Sequence, residues 1–133
     1  MRGPEAELHR AALAYPEAHE DFPWGETVVK VRGKVFVFLG VAQEGEWGFS
    51  LKLPHSQAGA LEEPFCEPTG YGLGKAGWVT ARFSRGEDVS MDTVRAWLDE
   101  SYRAVAPKKL VALLDASPDP VAAATTKPAR TKR

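Results

Sequence analysis

The chain contains a single cysteine, Cys66, and neither isoleucine nor asparagine among its 133 residues. One thiol excludes an internal disulfide, and no leader-like segment opens the sequence, so the expected compartment is a reducing cytoplasm. No apolar run approaches the roughly 20 residues that a bilayer crossing requires, which makes a soluble protein without membrane partners the expectation. The histidines His9, His19 and His55 are not spaced from one another, or from Cys66, as zinc ligands are. No G-x-S-x-G elbow and no Walker loop occurs, and no residue stands out as nucleophile or general base. The sequence therefore points to a non-enzymatic protein with no cofactor and no metal. Missing Ile and Asn beside plentiful Ala, Gly, Arg and Val fits a GC-rich bacterial genome.

A strong positive charge is also lacking. The chain carries a net −1, whereas nucleic-acid-binding domains are usually basic. The charge is unevenly spread. From residue 117 onward Lys127, Arg130, Lys132 and Arg133 face only Asp119, which gives +3 and leaves −4 for residues 1–116. Attraction to phosphate must then come from a local patch or from the C-terminal segment, since the global field does not supply it.

A length of 133 residues fits one domain. A chain of this size buries about two thirds of its unfolded surface and needs no staple to fold. Residues 117–133, SPDPVAAATTKPARTKR, hold three prolines and one large aliphatic side chain. They cannot bury enough apolar area to offset the entropy of ordering, so a disordered basic tail is expected after a domain spanning residues 1–116.

Within that domain, Leu8, Ala11, Ala12 and Tyr15 recur at helical spacing, and Pro4 suits a first turn, which predicts a helix over residues 4–15. Residues 17–25, with Pro23 and Gly25, read as a loop. The period then changes to two. Residues 27–32 and 34–41 are β-branched and aromatic runs joined tightly at Gly33-Lys34, and residues 43–46 form a second turn around Gly45. Residues 47–53 alternate, with Trp47, Phe49, Leu51 and Leu53 on one face. A short helix is expected over residues 56–62, an irregular stretch over 64–77, and an alternating strand over 78–84. Ser90 is a good N-cap for a helix whose stripe is Val94, Trp97, Leu98, Tyr102 and Val105. Pro107 interrupts it before a last short helix over residues 108–116. The order helix, three strands, helix, strand, helix, helix gives an α+β fold: an antiparallel sheet with helices packed on one face.

The other sheet face is expected to be open. Alternation places Lys30 and Arg32, Ser50 and Lys52, and Trp78, Thr80 and Arg82 there, with Lys34 and Lys75 at its rim. Cations and hydroxyls hold phosphates, and a partly exposed indole stacks on a base. A wet sheet face also carries such residues for solubility alone. Residues 35–39 are apolar on both faces, so part of the open face is expected to be covered. Residues 70–77 read GYGLGKAG, but they lack the spacing of a phosphate loop and lead into a strand, so a tightly turned or mobile connection is expected. The acidic stretch Glu5, Glu7, Glu17, Glu20 and Asp21 has a bland account as a solvated helix face with an acidic first turn.

Three segments together resemble the MmcQ/YjbR-like family: Phe49-Ser50-Leu51-Lys52-Leu53-Pro54, the Gly-Lys-x-Gly-Trp-Val run over residues 74–79, and Ser101-Tyr102-Arg103 ahead of Val105-Ala106. The resemblance spans about residues 5–115. It implies a frataxin-like α+β sandwich and a DNA-binding role, with Lys52 and Trp78 as the positions that match most closely. The resulting expectation is DNA binding through Lys30, Arg32, Lys52, Lys75 and Arg82, with Trp78 stacking. The alternative is a protein-interaction module that docks a partner on the same face. A frataxin-like metal or small-ligand protein using the acidic stretch is the third reading. A monomer or weak dimer is expected.

Overall fold

A computed structural model describes residues 3–22, 27–39, 45–70, 73–84 and 88–116. The C-terminal segment expected to be a tail lies outside the described residues, as do residues 43 and 44 of the expected second turn. Among the described residues four α-helices and six strands follow in the order α1 (Gly3–Leu13), β1 (His19–Asp21), β2 (Val28–Val31), β3 (Lys34–Leu39), β4 (Glu46–Lys52), α2 (Gln57–Leu61), β5 (Cys66–Pro68), β6 (Trp78–Ser84), α3 (Met91–Val105) and α4 (Lys108–Ala116). The strands form one antiparallel sheet ordered β1-β2-β3-β4-β6-β5. No helix among the described residues is long and apolar enough to cross a membrane.

The α+β class holds, and two elements are added to the expected order. The loop expected over residues 17–25 contains β1, and the stretch expected to be irregular contains β5 and a 3-10 turn, Leu73–Ala76. Both added strands are three-residue edges, exposed or half-buried, so their sequences carry no alternation to read. Pro68 and the acidic pair Glu20-Asp21 blunt these edges against pairing with other chains.

The interior follows from the strand pattern. Trp47, Phe49, Leu51 and Leu53 are all buried, as are Val79, Ala81 and Phe83 beside them on β6. Over them lies α3, which contacts β3 and β4 and presents Val94, Trp97, Leu98, Ser101 and Tyr102 at helical spacing. The Ser90 hydroxyl accepts the Thr93 N–H at 3.4 Å, as its N-cap position requires. Two aromatic clusters fill the ends of this layer. Trp47 stacks on Phe83 at 5.0 Å, and Tyr102 lies between Tyr15 and Phe36 at 4.6 and 5.1 Å.

Two backbone features set the sheet's shape. The β2–β3 connection is a two-residue turn with Arg32 at φ 52° and Gly33 at φ 80°. Both angles are positive, as the hairpin turn matching strand twist demands, and an arginine adopts that conformation less readily than a glycine. The turn thus falls one residue earlier than the expected Gly33-Lys34. The second feature is a bulge: Val29 pairs with Val37 but Lys30 pairs with Val35, leaving Phe36 as the extra residue. Phe36 and Val37 both become fully buried.

The bulge also opens the ladder between β3 and β4. Val37 faces Leu51, so Phe36 and Lys52 come next in register. The Ser101 hydroxyl occupies that gap. It donates to the Phe36 carbonyl at 2.5 Å and accepts the Lys52 N–H at 2.8 Å, so two backbone groups that a regular ladder would join are joined through α3.

Candidate functional site

The side of the sheet turned away from α3 was expected to be wet and basic. It carries the expected residues but is neither bare nor uniformly charged. Phe38, Ser50 and Thr80 follow one another across β3, β4 and β6, and Lys52 pairs with Trp78 at the strand ends. Trp78 is only 8% exposed, and its ring meets Phe38 edge-on at 5.4 Å across β4. Val28, opposite Phe38 on β2, is fully buried. The expectation of a partly exposed Trp78 is thus corrected, because a neighbouring phenylalanine two strands away closes over the same spot. An indole this deeply covered has no free face for a base to stack on.

The hydroxyls are likewise engaged. Ser50 and Thr80 are buried, and their oxygens lie 2.6 Å apart. Thr69 reaches Thr80 at 3.0 Å from beyond β5. This chain of three hydroxyls satisfies itself and does not face solvent as a phosphate donor set would.

The cations divide into two groups. Lys30 meets Asp21 on the edge strand β1 at 2.7 Å, and that hydrogen bond holds the Asp21 carboxyl below its usual range. Arg82 meets Glu67 on the opposite edge at 2.7 Å. Arg32 sits in the hairpin turn, not on the sheet face, and grips Glu17 with two bonds of 2.5 and 3.0 Å. The Arg32 hydrogen bonds hold the Glu17 carboxyl low, with further help from the charges of Arg32 and Lys109. All three pairs are solvent-exposed and contribute little to stability, but each cancels a charge that was expected to meet phosphate.

Lys52 and Lys75 form the second group. Neither makes an ion pair with a described residue. Lys52 is half-buried at the end of β4, and Lys75 is exposed on the 3-10 turn that leads into β6. They share one end of the sheet, because the Leu53 N–H donates to the Gly77 carbonyl at 2.8 Å and ties the β4 exit to the turn. Gly77 adopts φ 98° against Pro54, and the Gln57 amide donates to the Gly74 carbonyl at 2.7 Å. The glycine-rich segment is therefore a tightly turned connection. Its lysine lies at the same end of the sheet as Lys52, while residues 71 and 72 lie outside the described ones.

Glu100 supports this end from α3 and was not singled out by its sequence. Its carboxylate accepts the His55 N–H at 2.8 Å, the Ser56 N–H at 3.0 Å and the Ser56 hydroxyl at 2.6 Å. Burial pushes the Glu100 carboxyl up, but these three hydrogen bonds and the His55 charge outweigh it and bring the group below its usual range. The ionised carboxylate therefore stabilises the fold at neutral pH, and that contribution is lost as pH falls through the lowered folded value. Glu100→Gln is expected to cost about 1 kcal/mol at neutral pH. The gap from wild type should shrink as pH falls through the lowered folded value of Glu100, read by urea unfolding at several pH values.

The remaining chemistry is structural. Glu7, Glu17, Glu20 and Asp21 of the acidic stretch each meet a cationic or imidazole side chain: Arg95, Arg32, His9 and Lys30. Among the described residues no three His, Cys, Asp or Glu side chains are grouped to hold a metal ion. Burial pushes the half-buried Cys66 thiol up to about 11, with Glu63 adding to the effect, so little reactive thiolate exists at neutral pH.

Comparison with known proteins agrees with this architecture. The family model described as YjbR matches residues 13–104. The Deinococcus radiodurans protein DR2400, whose domain is described as DUF419, superposes with a TM-score of 0.62 at 22% identity, covering 78% of this chain and 81% of that one. A Pseudomonas syringae protein superposes with a TM-score of 0.59 at 16% identity, covering 75% and 97%. No curated protein matches the chain.

Proposed function

The chain belongs to the YjbR family, and from that premise we propose that it binds DNA through phosphate contacts made by Lys52 and Lys75. The observation that supports this reading is the pairing pattern. Of the five cations expected to meet phosphate, Lys30, Arg32 and Arg82 are neutralised by carboxylates, while Lys52 and Lys75 face solvent at one sheet end without a counter-ion among the described residues. A lysine ammonium is a point charge on a flexible stem, suited to phosphate oxygens and indifferent to base identity. The predicted mode is therefore weak and non-specific. The cations of residues 117–133 add to it in any backbone contact.

A titration of fluorescently labelled duplex DNA, followed by anisotropy, tests this reading. Binding is expected at about 50 mM salt and should weaken steeply as salt rises, because each phosphate contact releases condensed counter-ions. Absence of binding at about 50 mM salt, where such contacts are strongest, removes the proposal.

A further inference from the structure

The end of the sheet that holds Lys52 and Lys75 is also where the β2–β3 hairpin and the start of α4 lie. Val37 faces Leu51 in the antiparallel β3–β4 ladder, so Lys34, the first residue of β3, and Lys52, the last of β4, share that end. Ser101 bonds to the Phe36 carbonyl and the Lys52 N–H, so α3 ends over the same edge, and the chain enters α4 after Pro107. Next to Ser101, Tyr102 donates to the Pro16 carbonyl, and the adjacent Glu17 holds Arg32 of the hairpin. The charge of Lys109 acts on that same Glu17 carboxylate, which places the first turn of α4 beside the hairpin.

Lys34, Lys108 and Lys109 are exposed and, like Lys52 and Lys75, make no ion pair with a described residue. The carboxylates that these contacts place beside them are Glu17, held by Arg32, and Glu100, held by His55 and Ser56. Counting Arg32, six cations meet two carboxylates, a local charge of six minus two, or +4, in a domain whose residues 1–116 carry −4. Helix stability does not account for the lysines of α4. Cations at a helix N-terminus oppose the macrodipole, and α1 and α3 carry Glu5 and Asp92 in first turns where α4 has no acid. The positive end of the α4 dipole adds to the field of these lysines, and a bound polyanion relieves their mutual repulsion.

We infer that duplex DNA lies across this end of the sheet, its phosphates contacted by Lys34, Lys108 and Lys109 as well as by Lys52 and Lys75. The inference rests on the phosphate reading and extends it from the strand ends onto the helical layer. Lys34 on β3 and Lys75 before β6 are two strand spacings apart, roughly 10 Å, and α4 adds a second row. A duplex carries one charge per about 1.7 Å of its axis, so an array of that width fits a polyanion and not a lone phosphate. Anisotropy titrations of labelled duplex DNA at several salt concentrations test it on the full chain. They compare wild type with Lys34→Gln/Lys108→Gln/Lys109→Gln, with Lys52→Gln/Lys75→Gln, and with Arg95→Gln, which removes a charge paired with Glu7 in the first half of α3. The triple variant alters exposed side chains and should fold as wild type, checked by thermal unfolding. Its slope of log affinity against log salt should be shallower by about 2–3, at about 0.9 per phosphate contact, while Arg95→Gln leaves the slope unchanged. A triple-variant slope within about 0.5 of wild type overturns the inference, and a shallower slope for Lys52→Gln/Lys75→Gln in the same experiment leaves the phosphate reading standing. An equal loss per charge removed in Arg95→Gln overturns it too, since overall charge then governs binding. A wild-type chain that does not bind overturns both readings.

Discussion

Ser101→Ala is expected to destabilise the protein by about 2–4 kcal/mol, a large effect for the loss of one oxygen atom. Ser101 is fully buried and bridges the Phe36 carbonyl to the Lys52 N–H. Removing the hydroxyl leaves a buried donor and a buried acceptor unmatched at once, and each such group costs about 1–3 kcal/mol. The backbone cannot close the gap by direct pairing, because the bulge at Phe36 is what separated the strands there. Urea unfolding measures the cost. A change below about 0.5 kcal/mol would mean that water or a shifted strand replaces the hydroxyl without penalty. The same variant loosens the anchor of Lys52, so hydrogen exchange at the end of β4 should accelerate more than in the centre of β6.

The second large effect is expected at Trp78. Trp78→Ala should cost about 3–5 kcal/mol, the usual range for emptying a buried aromatic site. The ring is 8% exposed and packs against Phe38, and its loss also uncovers the buried Ser50 and Thr80 hydroxyls. Thermal or urea unfolding measures that cost. The consequence for function is separable from the consequence for stability. With no ring face open to a base, the folded fraction of Trp78→Ala should bind DNA within about twofold of wild type. A folded Trp78→Ala protein that binds tenfold more weakly would return the indole to the interface. For the same reason, a partner lost on Trp78→Ala is no evidence for a protein-docking face unless the variant is first shown to be folded.

Periodicity alone reveals much of this fold. The alternation of residues 47–53, the stripe of α3 and its Ser90 cap all read directly from residue spacing, since each buries one face against the same interior. The edge strands β1 and β5 do not, because three exposed residues have no buried face to mark. The expected phosphate site illustrates a different limit. Alternation correctly put Lys30, Lys52, Trp78 and Arg82 on one side of the sheet, yet it says nothing about what crosses that side. The counter-ions Asp21 and Glu67 come from those same unrecognised edge strands, and Glu17 reaches a turn displaced by one residue. Once the edges are known, the pairing is legible as diagonal: Asp21 faces Val28, two residues from Lys30, and Glu67 faces Thr80, two residues from Arg82. The segments that carried the family resemblance serve the architecture first. Ser101 closes the ladder, Tyr102 donates to the Pro16 carbonyl at 2.8 Å, and Gly77 turns against Pro54.

The claim that Lys52 and Lys75 carry the phosphate contacts stands or falls on the salt dependence of binding. Each lysine that neutralises a phosphate contributes about 0.9 to the slope of log affinity against log salt. The double variant Lys52→Gln/Lys75→Gln should therefore bind duplex DNA with a slope shallower than the wild-type chain by about 2, and correspondingly more weakly at low salt. Identical slopes and affinities for the two folded proteins would contradict the account, and would assign any DNA binding to the cations of residues 117–133 instead.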